Sequence, residues 1–322
     1  MFVNEILSHF TGKTVLITGA NTGLGLEAAR HFVRLNASKV ILGCRDLEKG
    51  NAAKQDIESG QHLDDTSDMV EVWQVQLDSF DSVRSFCRRA STLERLDVVI
   101  LNAGLLSHLY HTAEGYEWLT TVNVISTWLM ALLLLPVMRT TRTKYYTGDT
   151  DQAPHLVTVG SNAHFYTKFD ERNAPSIFEA FRGGNNMFNR YADTKLMSLF
   201  VAREVAARMS DTKEKPRVVL NIVEPGYCQS QLLREKAWPW YFKALMTVGL
   251  ATVARTSEQG ARTYIHAAAA GWESHGVYLE DCNLSTPHEF VDSEEGVRIQ
   301  KKVYAELIEI LERIEPGISE NV

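Results

Sequence analysis

A doubly wound α/β fold, with helices on both faces of a mainly parallel seven-stranded sheet, is what this sequence predicts. Short β-branched runs alternate with longer amphipathic stretches, and the first run (14–18) leads directly into a glycine-rich turn and a helix. The chain has 322 residues, 45% apolar and 23% charged, enough to bury a large core without disulfides or metals. One domain spanning 1–322 is expected, with a core of about 11–285 and a C-terminal helical extension at 290–315.

Taken in order, "TVLIT" (14–18) is a buried strand, followed by a helix to about Leu35. "KVILG" (39–43) is the second strand and 46–59 its helix; the alternating run 70–77 precedes a helix over 79–91. "LDVVIL" (96–101) is the fourth strand, and 114–138 reads as one long apolar helix containing Pro136 near its end. After a polar loop (139–154) come a strand at 155–160, a helix from Met187 to Met209, and strands at 217–223 and 276–280. Two segments, 162–187 and the aromatic-rich 226–256, are long for α/β connections. Asp292 or Ser293 can cap a last helix that stops at Pro316-Gly317, its stripe of Val303, Tyr304, Leu307, Ile308 and Leu311 packing on the body.

Composition excludes several functions. A net charge of −7 and a pI near 5.8, with no Lys/Arg cluster, argue against nucleic acid. Cys44, Cys87, Cys228 and Cys282 form no CxxC pair, which suits a reducing compartment, and no metal-ligand spacing is present. The longest apolar stretch, Trp128–Met138, is too short to cross a bilayer, so no integral membrane segment is expected. The N-terminus lacks the basic region of a signal peptide, and Phe2, Val3, Ile6, Leu7 and Phe10 share a helical face expected to pack on the protein itself. A cytoplasmic location is the default.

The turn "TGANTGLG" (18–25) has a specific use. Gly19 permits the tight turn, while Gly23 and Gly25 let backbone approach a pyrophosphate and helix pack on strand. Helix N-terminal amides then face the phosphates. The spacing TGxxxGxG is followed in order by "LNAG" (101–104), Asn123 in "TVNVIS", "VTVGSNAH" (157–164), "YADTK" (191–195) and "EPG" (224–226). This series resembles the short-chain dehydrogenase/reductase family over about 11–285. Among its branches the sequence is most similar to retinol-dehydrogenase-like reductases and reductases of fungal secondary metabolism. The resemblance implies a Rossmann domain whose dinucleotide contacts Gly19, Asn21, Thr22, Gly23, Leu24, Gly25, Asn102, Ala103, Gly104, Pro225 and Gly226. Leu101 replaces an asparagine of the family pattern, Gly160 a serine, and Thr194 another serine.

Cofactor choice turns on "GCRD" (43–46). The position of the acid that holds an NAD ribose is Cys44, and Arg45 follows it; an uncharged residue before a guanidinium suits the 2′-phosphate of NADP(H) over NAD(H). Arg45 could equally be a solvated residue, with Asp46 the helix cap. Asp78 matches the family's adenine-contacting residue, or caps the helix after it.

Carbonyl reduction needs an acid for the developing alkoxide, and a phenol near pKa ~10 is poorly suited until a cation lowers it. Lys195 lies one helical turn from Tyr191 on the same face and meets that need. By resemblance Lys195 also holds the nicotinamide ribose. Ser161 hydrogen-bonds the substrate oxygen, and Asn123 holds a water linking Lys195 to solvent; turn-forming and kink-plugging roles are their structural alternatives. His164 reads as structural and Asp193 as solvent-facing.

"AWPWYFKALMTVGL" (237–250) stands where the family keeps a substrate lid, and Phe165, Tyr166, Phe169, Phe178 and Phe181 of the 162–187 insert could form the opposite wall. Together they suggest a bulky apolar small-molecule substrate; core completion is the alternative for the 237–250 helix. The helices at 114–135 and around Tyr191 correspond to those that pair between subunits in the family, so a homodimer is expected. Two rival functions stay open: a non-redox step (dehydration, cyclisation or epimerisation), and an NADP(H)-binding sensor.

Overall fold

The computed structural model describes residues 9–59, 69–147, 152–211, 214–229, 232 and 253–322. Its central strand, β1 (Thr14–Thr18), pairs in parallel with β2 (Lys39–Cys44) on one side and β4 (Val98–Leu101) on the other. β3 (Val70–Gln74) extends the first side. β7 (His155–Val159), β8 (Val219–Glu224) and β9 (Tyr278–Glu280) extend the second, all parallel. An eighth strand, β10 (Asn283–Ser285), adds antiparallel to the β9 edge, so the sheet has one strand more than the seven expected. β5 (Thr112–Ala113) and β6 (Tyr116–Glu117) form a separate hairpin.

The inner strands β1, β2, β4, β7 and β8 are buried on both faces, as a parallel sheet requires. Val15, Ile17, Val40 and Leu42 face α1 (Gly23–Arg34), α2 (Leu47–Ser59) and α7 (Ser257–Ala269), where Phe32, Ile57 and Tyr264 pack. Leu16, Ile41, Val99 and Leu220 face α3 (Phe80–Ala90), the long α4 (Trp118–Tyr145) and α6 (Met187–Asp211), through Phe86, Trp128 and Phe200.

The apolar stretch expected as one helix over 114–138 starts later and runs further. Residues 112–117 are hairpin, and Glu117, fully buried, caps the helix by accepting from the Leu119 and Thr120 amides at 2.8 Å each. The helix widens into a π turn at Thr121–Ile125 and continues through Pro136 to Tyr145, absorbing the start of the expected loop. It is long and apolar enough to cross a membrane, but 89% of its most apolar stretch is buried inside the protein: it is a core helix.

The C-terminal segment forms α8 (Glu289–Asp292) and α9 (Glu294–Ile314). Ser293, not Asp292, caps α9 by accepting from the Gly296 amide at 3.0 Å. Val303, Tyr304, Leu307 and Leu311 are buried as the stripe required, joined by Ile299 and Ile310. α9 packs on the same core as α4 and α6, and Ile318 and Val322 after it join that core. Trp128, Leu132, Leu135, Leu199 and Phe200 of α4 and α6 are at most 3% exposed.

Candidate active site

At the C-terminal end of β1 the backbone reverses at Gly19 (φ 67°) and Gly23 (φ 58°), conformations that a side chain disfavours. A Cβ at Gly25 would stand 2.6 Å from the Gly19 carbonyl oxygen, so only glycine lets α1 approach the turn. Asn102 braces the same turn from β4: its Nδ2 donates to the Thr18 carbonyl at 2.8 Å, while the Ala103 amide donates to Thr18 Oγ1 at 3.0 Å. Tyr264 of α7, fully buried, donates to Asn102 Oδ1. Thr22, the N-cap of α1, makes no side-chain cap bond, and the first turn holds no acidic residue. Its free amides therefore suit a phosphate, and the residues present fit a dinucleotide.

At the end of β2, Cys44 is buried, which pushes its thiol up to about 11. Arg45 next to it is exposed, its carbonyl accepting from Gln74 Nε2 at 3.2 Å. Asp46 is occupied locally, accepting from the Lys49 amide at 3.1 Å. The helix-capping alternative for Asp78 falls, because Ser79 caps α3 by accepting from the Ser82 amide.

Four residues converge beside this turn. Asn123 sits in the π turn of α4, where both amide hydrogens are used: Nδ2 donates to the Leu105 carbonyl at 2.9 Å and to Thr194 Oγ1 at 3.1 Å. Its Oδ1 accepts from the Leu105 amide at 2.8 Å and keeps one lone pair. The residue thus ties the loop after β4 to α6, and its side chain bonds no backbone group of the π turn it sits in. Ser161, just past β7, accepts from the Ala163 amide at 3.2 Å and lies near enough to the Tyr191 phenol to favour the ionised ring; burial and the Glu224 carboxylate outweigh it and hold the phenol above its ordinary range. Lys195 Nζ donates to the Val159 carbonyl at 2.7 Å and lies 5.7 Å from the Tyr191 ring centre. Burial lowers its ammonium to about 8. A Cβ on Gly104 would come within 3.5 Å of Asn123 Oδ1 and 4.0 Å of Lys195 Nζ, so the "LNAG" loop closes the group.

A short chain dehydrogenase family profile matches residues 13–168. A short chain dehydrogenase/reductase of Cryptosporiopsis sp. is 39% identical over 324 residues, 97% of this chain and 94% of the relative. The chain belongs to the short-chain dehydrogenases. A short chain dehydrogenase of Emericella nidulans is 45% identical over 275 residues, 84% of this chain and 85% of the relative. In fold, this dehydrogenase matches a short-chain type dehydrogenase/reductase from Mycobacterium marinum, with a TM-score of 0.62 at 18% identity, covering 86% of this chain and 96% of the other.

Around the group, the dehydrogenase departs from expectation in two places. Asp193 is 1% exposed and not solvent-facing: it accepts from Thr167 Oγ1 and pairs with the fully buried Arg190 at 3.4 Å. Arg190 lies over the Phe181 ring and reaches Glu171, so the insert is fastened to α6 beside Tyr191. Phe169, Phe178 and Phe181 are at most 2% exposed and belong to the core, leaving Phe165 and Tyr166 exposed as the insert's candidate wall. The insert's short helix α5 (Ile177–Ala180) is capped from α9, where Glu306 accepts from the Ile177 and Phe178 amides. His164 is structural: Nδ1 bonds the Ser161 carbonyl at 2.7 Å, and Nε2 accepts from the His288 amide. The expected lid, 237–250, lies outside the described residues.

Glu224, quoted in the "EPG" motif but given no role by sequence, is the residue that reading missed. It is 3% exposed at the end of β8, within electrostatic reach of both Tyr191 and Lys195. Its visible signal was a carboxylate closing a strand that is apolar but for Asn221.

Proposed function

We propose that this oxidoreductase transfers a hydride between NADP(H) and a carbonyl or secondary alcohol of a bulky apolar small molecule, in secondary metabolism. The observation that carries the reading is the convergence of Ser161, Tyr191 and Lys195 beside the glycine turn, with the Lys195 ammonium 5.7 Å from the Tyr191 ring centre. When bound, the dinucleotide supplies and takes back the hydride. Gly19, Asn21, Thr22, Gly23, Leu24, Gly25, Asn102, Ala103, Gly104, Pro225 and Gly226 would hold it, Asp78 would meet its adenine, and Arg45 would take the 2′-phosphate. The exposure of Arg45 beside a buried, neutral Cys44 supports NADP(H) over NAD(H).

Tyr191 donates its proton to the substrate oxygen, and a phenol held in its protonated form suits the reductive direction. Ser161 hydrogen-bonds that oxygen, and Lys195 keeps positive charge behind the phenol as its proton leaves. Asn123 fixes α6 and the loop after β4 so that these groups stay aligned. We read the chain as one domain acting in the cytoplasm, and expect it to pair as a homodimer through α4 and α6.

An untargeted metabolite comparison between producing cells with and without Tyr191 identifies the compound to assay with NADPH. In single-turnover hydride transfer, Tyr191→Phe should keep the fold and NADPH binding yet lose at least about 10²-fold in rate. Ser161→Ala should lose about 2–4 kcal/mol of transition-state stabilisation with cofactor binding intact. Wild-type hydride transfer by folded, NADPH-loaded Tyr191→Phe overturns the assignment. Turnover without NADPH would favour the non-redox reading, and NADPH binding without any turnover the sensor.

A further inference from the structure

Glu224 ends β8 on the side of the sheet that meets α6. Along the strand Asn221 and Val223 turn to the α7 side, where Asn221 Nδ2 donates to the Ala267 carbonyl at 2.9 Å. Leu220 and Ile222 face the α6 core, and the two-residue period places Glu224 with them. One carboxylate oxygen, Oε1, accepts from the Gly226 amide at 2.9 Å. The other, Oε2, is buried and has no hydrogen-bond partner. An ionised oxygen left this way is costly unless a nearby cation compensates it.

The surroundings supply one cation at the reaction centre. Val159, whose carbonyl takes the Lys195 ammonium, pairs with Val223 in the β7–β8 register, so Glu224 comes next along β8 and lies within electrostatic range of Lys195 and Tyr191 on α6. From α7 comes Tyr264, and from β9 come Tyr278 and Glu280. After β8, Cys228 and the partly exposed Arg255 complete the set, with Arg255 committed to Asp281 at 2.5 Å. Lys195 for its part has a neutral carbonyl, that of Val159, as its described hydrogen-bond acceptor.

We propose that Glu224 is a positioning residue of the proton-transfer group: its buried carboxylate is the counter-charge that keeps the Lys195 ammonium protonated behind Tyr191. The inference rests on the reading of Tyr191 and Lys195 as the proton-transfer pair. The electrostatics agree with the geometry. Burial draws Lys195 down to about 8 while Glu224 raises it, and burial draws Glu224 up to about 7 while Lys195 and the Gly226 and Asn162 amides lower it. Loss of the carboxylate would let burial act on Lys195 unopposed.

The test is the pH dependence of Lys195 acetylation by acetic anhydride in the full chain, read by peptide mass spectrometry, which needs no substrate and no turnover. Glu224→Gln should move the Lys195 midpoint down by on the order of one pH unit, and Glu224→Asp should bring it back toward the wild type. A Glu224→Gln midpoint equal to that of the wild type overturns the proposal. Should Glu224→Gln fail to fold, the reciprocal variant serves. In Lys195→Met the Glu224 carboxyl, followed by carbon NMR, should titrate at higher pH than in the wild type, and an unchanged midpoint overturns the proposal equally. Failure of Tyr191→Phe to affect hydride transfer would remove the catalytic reading while leaving this charge coupling measurable.

Discussion

The Tyr264 hydroxyl, fully buried on α7, donates to Asn102 Oδ1 at 2.9 Å, while Asn102 Nδ2 holds the end of β1. A helix some 160 residues downstream in sequence thus fixes the shape of the glycine turn. Tyr264→Phe leaves Oδ1 without this donor and should cost about 1–3 kcal/mol. A denaturation midpoint indistinguishable from the wild type would show that the contact does not brace the turn. NADPH affinity should fall in parallel.

Cofactor preference is tested at Arg45. NADPH should bind more tightly than NADH, and Arg45→Ala should remove about 1.5–3 kcal/mol from NADPH binding, the worth of a charge-assisted hydrogen bond. NADH should change little. Equal dissociation constants for the two cofactors in the wild type would refute the assignment.

Acid sensitivity should come in part from His155. Its ring is buried with Nε2 2.6 Å from the Ala270 carbonyl, and burial lowers its pKa to about 4. The unfolded chain, with an ordinary histidine near 6.5, then binds more protons than the folded one between those values. The contribution is complete above pH 6.5 and is lost as pH falls toward 4, with a limiting slope of about 1.4 kcal/mol per pH unit. Chemical denaturation of His155→Gln across this window should give a shallower slope than the wild type; an identical slope would exclude the residue.

The anchoring of the insert is tested at Glu306. Glu306→Ala leaves the amides of Ile177 and Phe178 and the Ser176 hydroxyl without their acceptor. A loss of about 1–3 kcal/mol is expected, with hydrogen exchange rising first across 170–183. Protection there unchanged from the wild type would show the cap to be dispensable.

Much of this was legible in advance because it depends on local chemistry. The glycine turn, the serine past β7 and the Tyr191–Lys195 spacing each specify a backbone shape or a helical face. What was not legible depends on long-range packing or on unusual turn residues. The aromatics of the insert could not declare whether they met a ligand or α9, and Asp193 could not declare Arg190 and Thr167 as partners. The eighth strand was hidden by its turn. Asp281 and Cys282 take φ 51° and 59°, the two left-handed positions of a tight hairpin, where an Asn-Gly pair would have been the readable signal.

The bond from Glu306 to α5 also sets an order of assembly. During synthesis the chain emerges N-terminus first, and the sheet from β1 to β8 and the Tyr191 helix are available long before residue 306 leaves the ribosome. Until then Ser176, Ile177 and Phe178 lack their acceptor, and the insert has its Arg190 anchor on the Tyr191 helix without its cap from α9. The nascent protein can therefore possess its nucleotide cradle, braced by Tyr264, before its substrate side is shaped, with completion of that side deferred until α9 has emerged.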